Sequence, residues 1–184
     1  MNVDDRIVCR PLTDAGDPLL EQVKHTYEAS FPTNERRDFA LLRELVKESP
    51  YFRMYALFRG KTYVGFLTAW GFETFVYIEH FAIDEAARCG GIGAEAMRQF
   101  LASTALPVVL EVELPTDELS RRRIGFYERL GFVLDTHPYF QPPYHPGDEP
   151  LEMHLMYVGD VKMEERFEPI SKQLHREVYG ISKD

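Results

Sequence analysis

Apolar and polar positions alternate or cluster along this chain with periods that change several times. Ile7–Arg10 reads as a short strand stopped by Pro11, and Asp17–Ser30 puts Leu19, Leu20, Val23 and Tyr27 on one side of a helix. Phe31-Pro32-Thr33-Asn34 breaks that pattern, and Asp38–Lys47 starts a second helix on Phe39, Leu42, Leu45 and Val46. Tyr51–Arg59 and Thr62–Trp70 read as strands joined through Gly60-Lys61, and Phe75–Ile83 as a third long strand. The chain then gives helix Gly93–Thr104, strand Pro107–Leu114 and helix Glu118–Leu130. Phe132–Thr136 and Leu151–Val158 close the series, separated by the loop HPYFQPPYHPGDEP. From Val161 to Tyr179 the residues Met163, Phe167, Ile170, Leu174 and Val178 recur at helical spacing.

That order, with antiparallel strands first and a β-α-β-α-β-β end, predicts a mixed α/β (α+β) fold with a mostly antiparallel central sheet flanked by helices. The C-terminal helix is an addition that packs on the body or forms a homodimer contact. At 184 residues the chain is most simply one domain, 1–184, with its core at about 5–158.

Composition narrows the function. A net charge of −9 argues against a nucleic-acid or anionic-membrane binder, and suits a cationic amine partner. Two cysteines, Cys9 and Cys89, are too few for a disulfide scaffold or zinc site and point to a reducing, cytoplasmic setting. The first residues, MNVDDRIVCRPL, lack a basic stretch followed by an apolar core, so no signal peptide is expected. Nor does any apolar run suggest a membrane span. His137, His145 and His154 lack ligand spacing, so no metal is expected.

The chemistry concentrates at Arg88-Cys89-Gly90-Gly91-Ile92-Gly93-Ala94, between the third long strand and an alanine-rich helix. Glycines at a helix start leave N–H groups uncovered where the helix dipole favours an anion, a cradle for a phosphate or pyrophosphate. A P-loop would need Gly-Lys-Ser/Thr where Gly93-Ala94-Glu95 stands. A dinucleotide-binding turn would put its glycines directly after the strand, with a third glycine and an acid about 20 residues on. Glu111 has the right distance from Gly91, but the third glycine is missing and Asp84–Cys89 intervene.

Arg88-x-x-Gly91-x-Gly93 resembles the Arg/Gln-x-x-Gly-x-Gly/Ala signature of the GNAT acyltransferase superfamily. The triplet Phe81-Ala82-Ile83 before it, and Tyr127-Glu128-Arg129-Leu130-Gly131-Phe132 after it, extend the resemblance over 79–132. The resemblance implies acetyl-CoA as donor and a primary amine of a small molecule or peptide as acceptor, joined by direct attack in a ternary complex. Residues 88–94 would hold the pyrophosphate, with Arg88 adding charge or capping the loop, and backbone groups of Phe81 and Ile83 would bind the pantetheine. Tyr127 would protonate the departing thiolate. Ser120 and Arg123 occupy places where the family often has Asn and a small residue, and are read as further cofactor contacts; Arg121 and Arg122 beside them suggest extra ionic help. Glu79, on the strand that carries Phe81, is the candidate base for the attacking amine, with substrate anchoring as its competing role. His80 points to the other face as a packing residue, and Cys89 reads as a tolerated small residue. The connection Phe31–Arg37, including Glu35, and the loop Tyr139–Tyr144 are candidates for shaping the acceptor site. A non-catalytic acyl-CoA sensor is the alternative.

Overall fold

In a computed structural model that describes residues 6–181, the chain forms two compact units, Met1–Ala105 and Leu106–Asp184. Within each unit the paired strands run antiparallel, and helices pack against them. The readings that touch residues 1–5 and 182–184 lie outside the described residues.

The first unit is a four-stranded sheet in the order β1 (Ile7–Leu12), β2 (Phe52–Arg59), β3 (Thr62–Gly71), β4 (Val76–Ile83). Strand β1 does not stop at Pro11, which pairs with Tyr55. As the outer strand of this unit's sheet it can spare the N–H that proline lacks. Helices α1 (Leu19–Ser30) and α2 (Phe39–Glu48) cover one face. There Tyr27 packs edge-on against Phe66 and His80, with ring centroids 5.8 and 5.0 Å apart. Helix α3 (Ile92–Ala102) covers the other, where Ile92 and Ala96 join Ile7, Leu57 and Val64, with Phe81 and Ile83 against them. His80 and Phe81 therefore face opposite sides, as strand alternation requires.

Strand β4 carries one irregularity that matters later. Thr68 pairs with His80 and Ala69 with Ile78, so Glu79 is the extra residue of a β-bulge. Bulges re-aim side chains and concentrate near functional sites.

In the second unit, β5 (Val108–Glu113) lies along one edge of β8 (Leu151–Val158), and β6 (Val133–Leu134) and β7 (Tyr139–Gln141) follow each other along the other. Strand β7 falls inside the segment read as an uninterrupted loop. Three residues are too few to show a period, and the flanking prolines hide them. Helix α4 (Glu118–Glu128) opens with a reciprocal capping box between Asp117 and Ser120. The tail forms α5 (Met163–Gln173), which widens into a π-helical turn over Leu174–Val178. Met163, Ile170, Leu174 and Val178 are buried, as the helical spacing predicts, and Phe167 is half-buried. No helix of the described residues is long and apolar enough to cross a membrane.

Candidate active site

The glycine turn is built by what surrounds it. At the end of β4, Asp84 accepts from Ala86 N at 3.1 Å and from Thr26 Oγ1 at 2.7 Å, tying the turn to α1. Arg88 folds back: its Nε donates to Ile83 O at 3.1 Å and its Nη2 to Ser30 Oγ at 3.4 Å. These contacts also occupy the Ile83 carbonyl. Cys89, Gly90 and Gly91 then run at positive φ, 149°, 67° and 76°. Nothing lies within 4 Å of the place a Cβ would take on Gly90 or Gly91. The chain enters α3 from an open, left-handed turn, and the first N–H groups of the helix have no carbonyl before them to bond. That concavity fits a pyrophosphate, held by backbone amides and the helix dipole.

Glu79 lies on β4, the strand that leads toward this turn, and its side chain is fully buried. Its Oε1 accepts from Arg37 Nε at 3.0 Å and Nη2 at 2.9 Å, and its Oε2 from Trp70 Nε1 at 2.8 Å. Burial alone would raise the carboxyl pKa, but the Arg37 guanidinium, helped by His80 and the Trp70 bond, holds it below the usual range. The carboxylate thus faces a cation on one oxygen and an indole N–H on the other. His80, next along, has its Nε2 3.0 Å from Glu35 O and its ring between Tyr27 and Phe31. Burial pushes its imidazole down. Tyr27 Oη accepts from Arg37 N at 2.9 Å, and Arg36 Nε donates to Phe31 O at 2.9 Å. The connection between α1 and α2 is therefore fastened to the β4 bulge through both its side chains and its backbone. Arg37, the centre of this fastening, was missed in the sequence: one arginine in an irregular stretch has no spacing that points to a partner 42 residues away.

In the second unit, the spacing Tyr-x-x-x-Gly-Phe has a direct structural reason. Gly131 takes a left-handed φ of 91° that ends α4. Phe132 N then donates to Tyr127 O at 3.1 Å, and the two rings pack edge-on at 5.4 Å. This is a Schellman closure with its hydrophobic contact, and it fixes the Tyr127 ring. The ring is buried, and burial pushes its phenol up to about 12 against the pull of Arg123. Among the described residues the Tyr127 hydroxyl has no hydrogen-bond partner. Ser120 spends its hydroxyl on Asp117, at 2.9 Å from Oδ1 and 3.1 Å from the carbonyl, and Arg123 is ion-paired with Glu113. Among the described residues no cluster of histidine, cysteine, aspartate or glutamate could hold a metal ion.

A second carboxylate drew notice in the sequence only for its distance from Gly91. Glu111 on β5 accepts from Tyr139 Oη at 2.5 Å, Gln141 Nε2 at 2.5 Å and Tyr179 Oη at 2.8 Å. The signal available was an acid inside the apolar run Val108–Val112.

The strand, glycine turn and helix of the first unit, with the capped tyrosine helix of the second, define a mixed α/β acyltransferase fold. The sequence pattern of the Acetyltransferase (GNAT) family matches residues 18–132, and the chain belongs to that family as an acetyl-CoA-dependent N-acetyltransferase. A solved GNAT-family protein of Bacteroides thetaiotaomicron is 37% identical, covers 95% of this chain and 99% of its own, and superposes with a TM-score of 0.92. Two more distant structures share the fold alone. The ribosomal-protein-S18-alanine N-acetyltransferase of Escherichia coli is 16% identical over 83% of this chain and 92% of its own, with a TM-score of 0.59. Arabidopsis thaliana NAA60 in complex with acetyl-CoA is 17% identical over 83% and 97%, with a TM-score of 0.61. No curated protein sequence matches the chain significantly.

Proposed function

We propose that this enzyme moves the acetyl group of acetyl-CoA to a primary amine of a small molecule or peptide, by direct attack while both substrates are bound. The observation that carries this reading is the open left-handed turn at Gly90-Gly91 leading into α3, whose concave amides suit the donor's pyrophosphate. The family match runs from 18 to 132, from the first unit into the second, and supports treating both as one catalytic domain. A peptide acceptor is supported by proteins that share the fold, among them the ribosomal-protein-S18-alanine N-acetyltransferase of Escherichia coli.

In this reading the amides of residues 88–94 bind the pyrophosphate. Arg88 holds the turn in shape through Ile83 and Ser30. Backbone groups at Phe81–Ile83 receive the pantetheine, and an oriented N–H there stabilises the oxyanion as the amine adds. Holding amine and thioester together supplies proximity. Tyr127 gives its proton to the thiolate as the C–S bond breaks. With the phenol near 12 and a free thiol near 8.5, stepwise transfer is uphill by about 5 kcal/mol. The proton therefore moves as the bond breaks, or to a thiolate whose own pKa is raised by desolvation. Glu79 enters as a positioning carboxylate: the arginine contact that keeps it ionised also reduces its affinity for a proton, so its work is to hold Arg37 and the acceptor-side connection.

The test is calorimetric titration of the purified protein with acetyl-CoA, with NADH and ATP as controls, followed by a thiol-release screen of amines. Saturable binding of acetyl-CoA alone, with amine-dependent thiol release, is the expected result. No binding, or a preference for NADH, overturns the reading.

A further inference from the structure

An anion-binding turn is a poor place for an acid, because a carboxylate repels the charge that the turn is shaped to receive. Yet Asp84 follows β4 at the head of this turn, half-buried, just before the short helical segment Glu85–Ala87. Its backbone N–H still belongs to the sheet and donates to Val64 O on β3 at 2.9 Å. Its carboxylate oxygens are divided: Oδ1 caps the helical segment through Ala86 N, and Oδ2 turns to Thr26 on α1. A residue with no side-chain acceptor would remove the repulsion and lose both ties.

Thr26 is buried, and its hydroxyl is engaged on both sides. It accepts from Tyr63 Oη at 3.1 Å and lies 2.7 Å from Asp84 Oδ2, with Gln22 O farther away at 3.2 Å. Burial pushes the Tyr63 phenol up to about 12, so Tyr63 keeps its proton and is the donor to Thr26. The single Thr26 proton then goes to Asp84, at the shorter distance, where the charge of the acceptor strengthens the bond. One helical turn further along α1, Ser30 meets Arg88 at 3.4 Å. Thr26 and Ser30 are four apart and share a face of the helix; Asp84 and Arg88, also four apart, bracket the segment Glu85–Ala87. The turn is thus fastened to α1 at two points, and Thr26–Asp84 is the shorter and more buried of them.

Resting on the function proposed above, we propose that Thr26 and Asp84 are positioning residues of the donor turn. Thr26 acts through Asp84, and Asp84 keeps the amides of residues 88–94 in the shape that receives the pyrophosphate. Neither side chain touches the donor. Amides fixed before the ligand arrives need no ordering when it binds, whereas a turn released from α1 must be ordered at the expense of affinity. The carboxylate is kept for its two acceptor oxygens, and its charge is a cost that the ties outweigh. Both residues lie outside the glycine signature and are 58 positions apart, so no local spacing joins them.

The test is the affinity for acetyl-CoA, measured by calorimetry on full-length protein. Thr26→Val keeps the shape of the side chain and removes the hydroxyl, and Asp84→Ala removes both ties. Each should weaken binding about tenfold or more. The double variant Thr26→Val/Asp84→Ala should be no more than about threefold weaker than the worse single variant, because the two residues act along one path. Thr26→Ser restores the hydroxyl and should bind within about threefold of wild type. Asp84→Asn is the sharper rescue. Its amide oxygen serves Ala86 N, its NH₂ donates to Thr26 Oγ1, and the Thr26 proton moves to Gln22 O. Both ties survive without the repelling charge, so its affinity should equal or exceed that of wild type. Leu42→Ala, which opens a cavity under α2, controls for stability alone: it should lower the Tm at least as far as Thr26→Val and leave the affinity within about twofold. Wild-type affinity in well-folded Thr26→Val, additive losses in the double variant, or Asp84→Asn as weak as Asp84→Ala would each overturn the proposal. So would an equal loss of affinity in Leu42→Ala. Should Asp84→Ala not fold, the comparison of Thr26→Val with Thr26→Ser decides. Failure of the wild type to bind acetyl-CoA is a different result, and removes the function on which the proposal rests.

Discussion

Arg37, on the connection between α1 and α2, and Glu79, in the bulge of β4, are joined by two N–H donors on one carboxylate oxygen at 2.9 and 3.0 Å. The Glu79 side chain has no exposed surface and that of Arg37 is 15% exposed. Because Trp70 takes the second oxygen and the Arg37 guanidinium also stands 5.8 Å from the Trp70 ring centroid, the three residues make one unit. The bulge supplies the geometry, since it sets Glu79 outside the regular pairing with β3.

Arg37→Met should therefore do more harm than the loss of a surface contact. It strands a buried carboxylate, and the expected loss of unfolding free energy is about 3–5 kcal/mol. Denaturant unfolding checks it. The double variant Arg37→Met/Glu79→Leu should recover most of that loss, because no charge is then left unpaired. If the double variant is no more stable than the single one, the pair has a role beyond mutual neutralisation.

The pair also has a pH signature. The Glu79 carboxyl is held below its ordinary value in the folded chain. Its contribution to stability is then fully present above about pH 4.3, the unfolded value, and fades as pH falls through the folded one. Glu79→Gln should be less stable than wild type at neutral pH, and the gap should shrink as both are acidified. Thermal unfolding between pH 3 and 7 would show this. A gap that widens on acidification would mean the carboxyl is not the ionised partner of Arg37.

What the sequence revealed, and what it concealed, follows from the range of each interaction. Helices and strands with a repeated apolar face were legible, and so were the two motifs, because both are local. Gly90-Gly91 needs positive φ, and Tyr127, Gly131 and Phe132 form one helix end. Arg37–Glu79 and Glu111–Tyr179 were not legible, since each joins residues 42 and 68 positions apart through irregular segments. The bulge at Glu79 was equally hidden: one extra residue leaves no trace in a strand of eight. Ser120 is an intermediate case. Its residue type suits both capping and ligand binding, and its capping partner Asp117 is only three residues away.

That ambiguity at Ser120 can be resolved. Ser120→Ala removes one half of the capping box and should cost about 1 kcal/mol of stability. If the hydroxyl serves α4 alone, the affinity for acetyl-CoA measured by calorimetry stays within twofold of wild type. A tenfold loss of affinity in a well-folded variant would restore the serine to the donor site.

Gly91 gives the sharpest separation of stability from binding on the donor side. Its φ of 76° is strained for any side chain, while the space around it is open. Gly91→Val should thus lower stability by roughly 1–3 kcal/mol yet remove acetyl-CoA binding altogether, because its branches fill the concavity over the first turn of α3. Retained binding would place the pyrophosphate elsewhere.

Tyr127→Phe isolates the last step of the reaction. The Tyr127 hydroxyl has no hydrogen-bond partner among the described residues, so its removal leaves no stranded group, and the ring keeps its packing on Phe132. Stability and acetyl-CoA affinity should both be close to wild type, while kcat falls by about 10²–10⁴ if the phenol delivers the proton to sulfur. With the phenol near 12, it stays protonated throughout the working range, so the wild-type profile should show no basic limb from Tyr127 below about pH 10. A donor that releases a better leaving thiolate offers the decisive control: a thioester with a more acidic thiol needs less proton assistance, and the Phe variant should lose less on it. Equal losses on both donors would show that the hydroxyl orients the donor and does not protonate it.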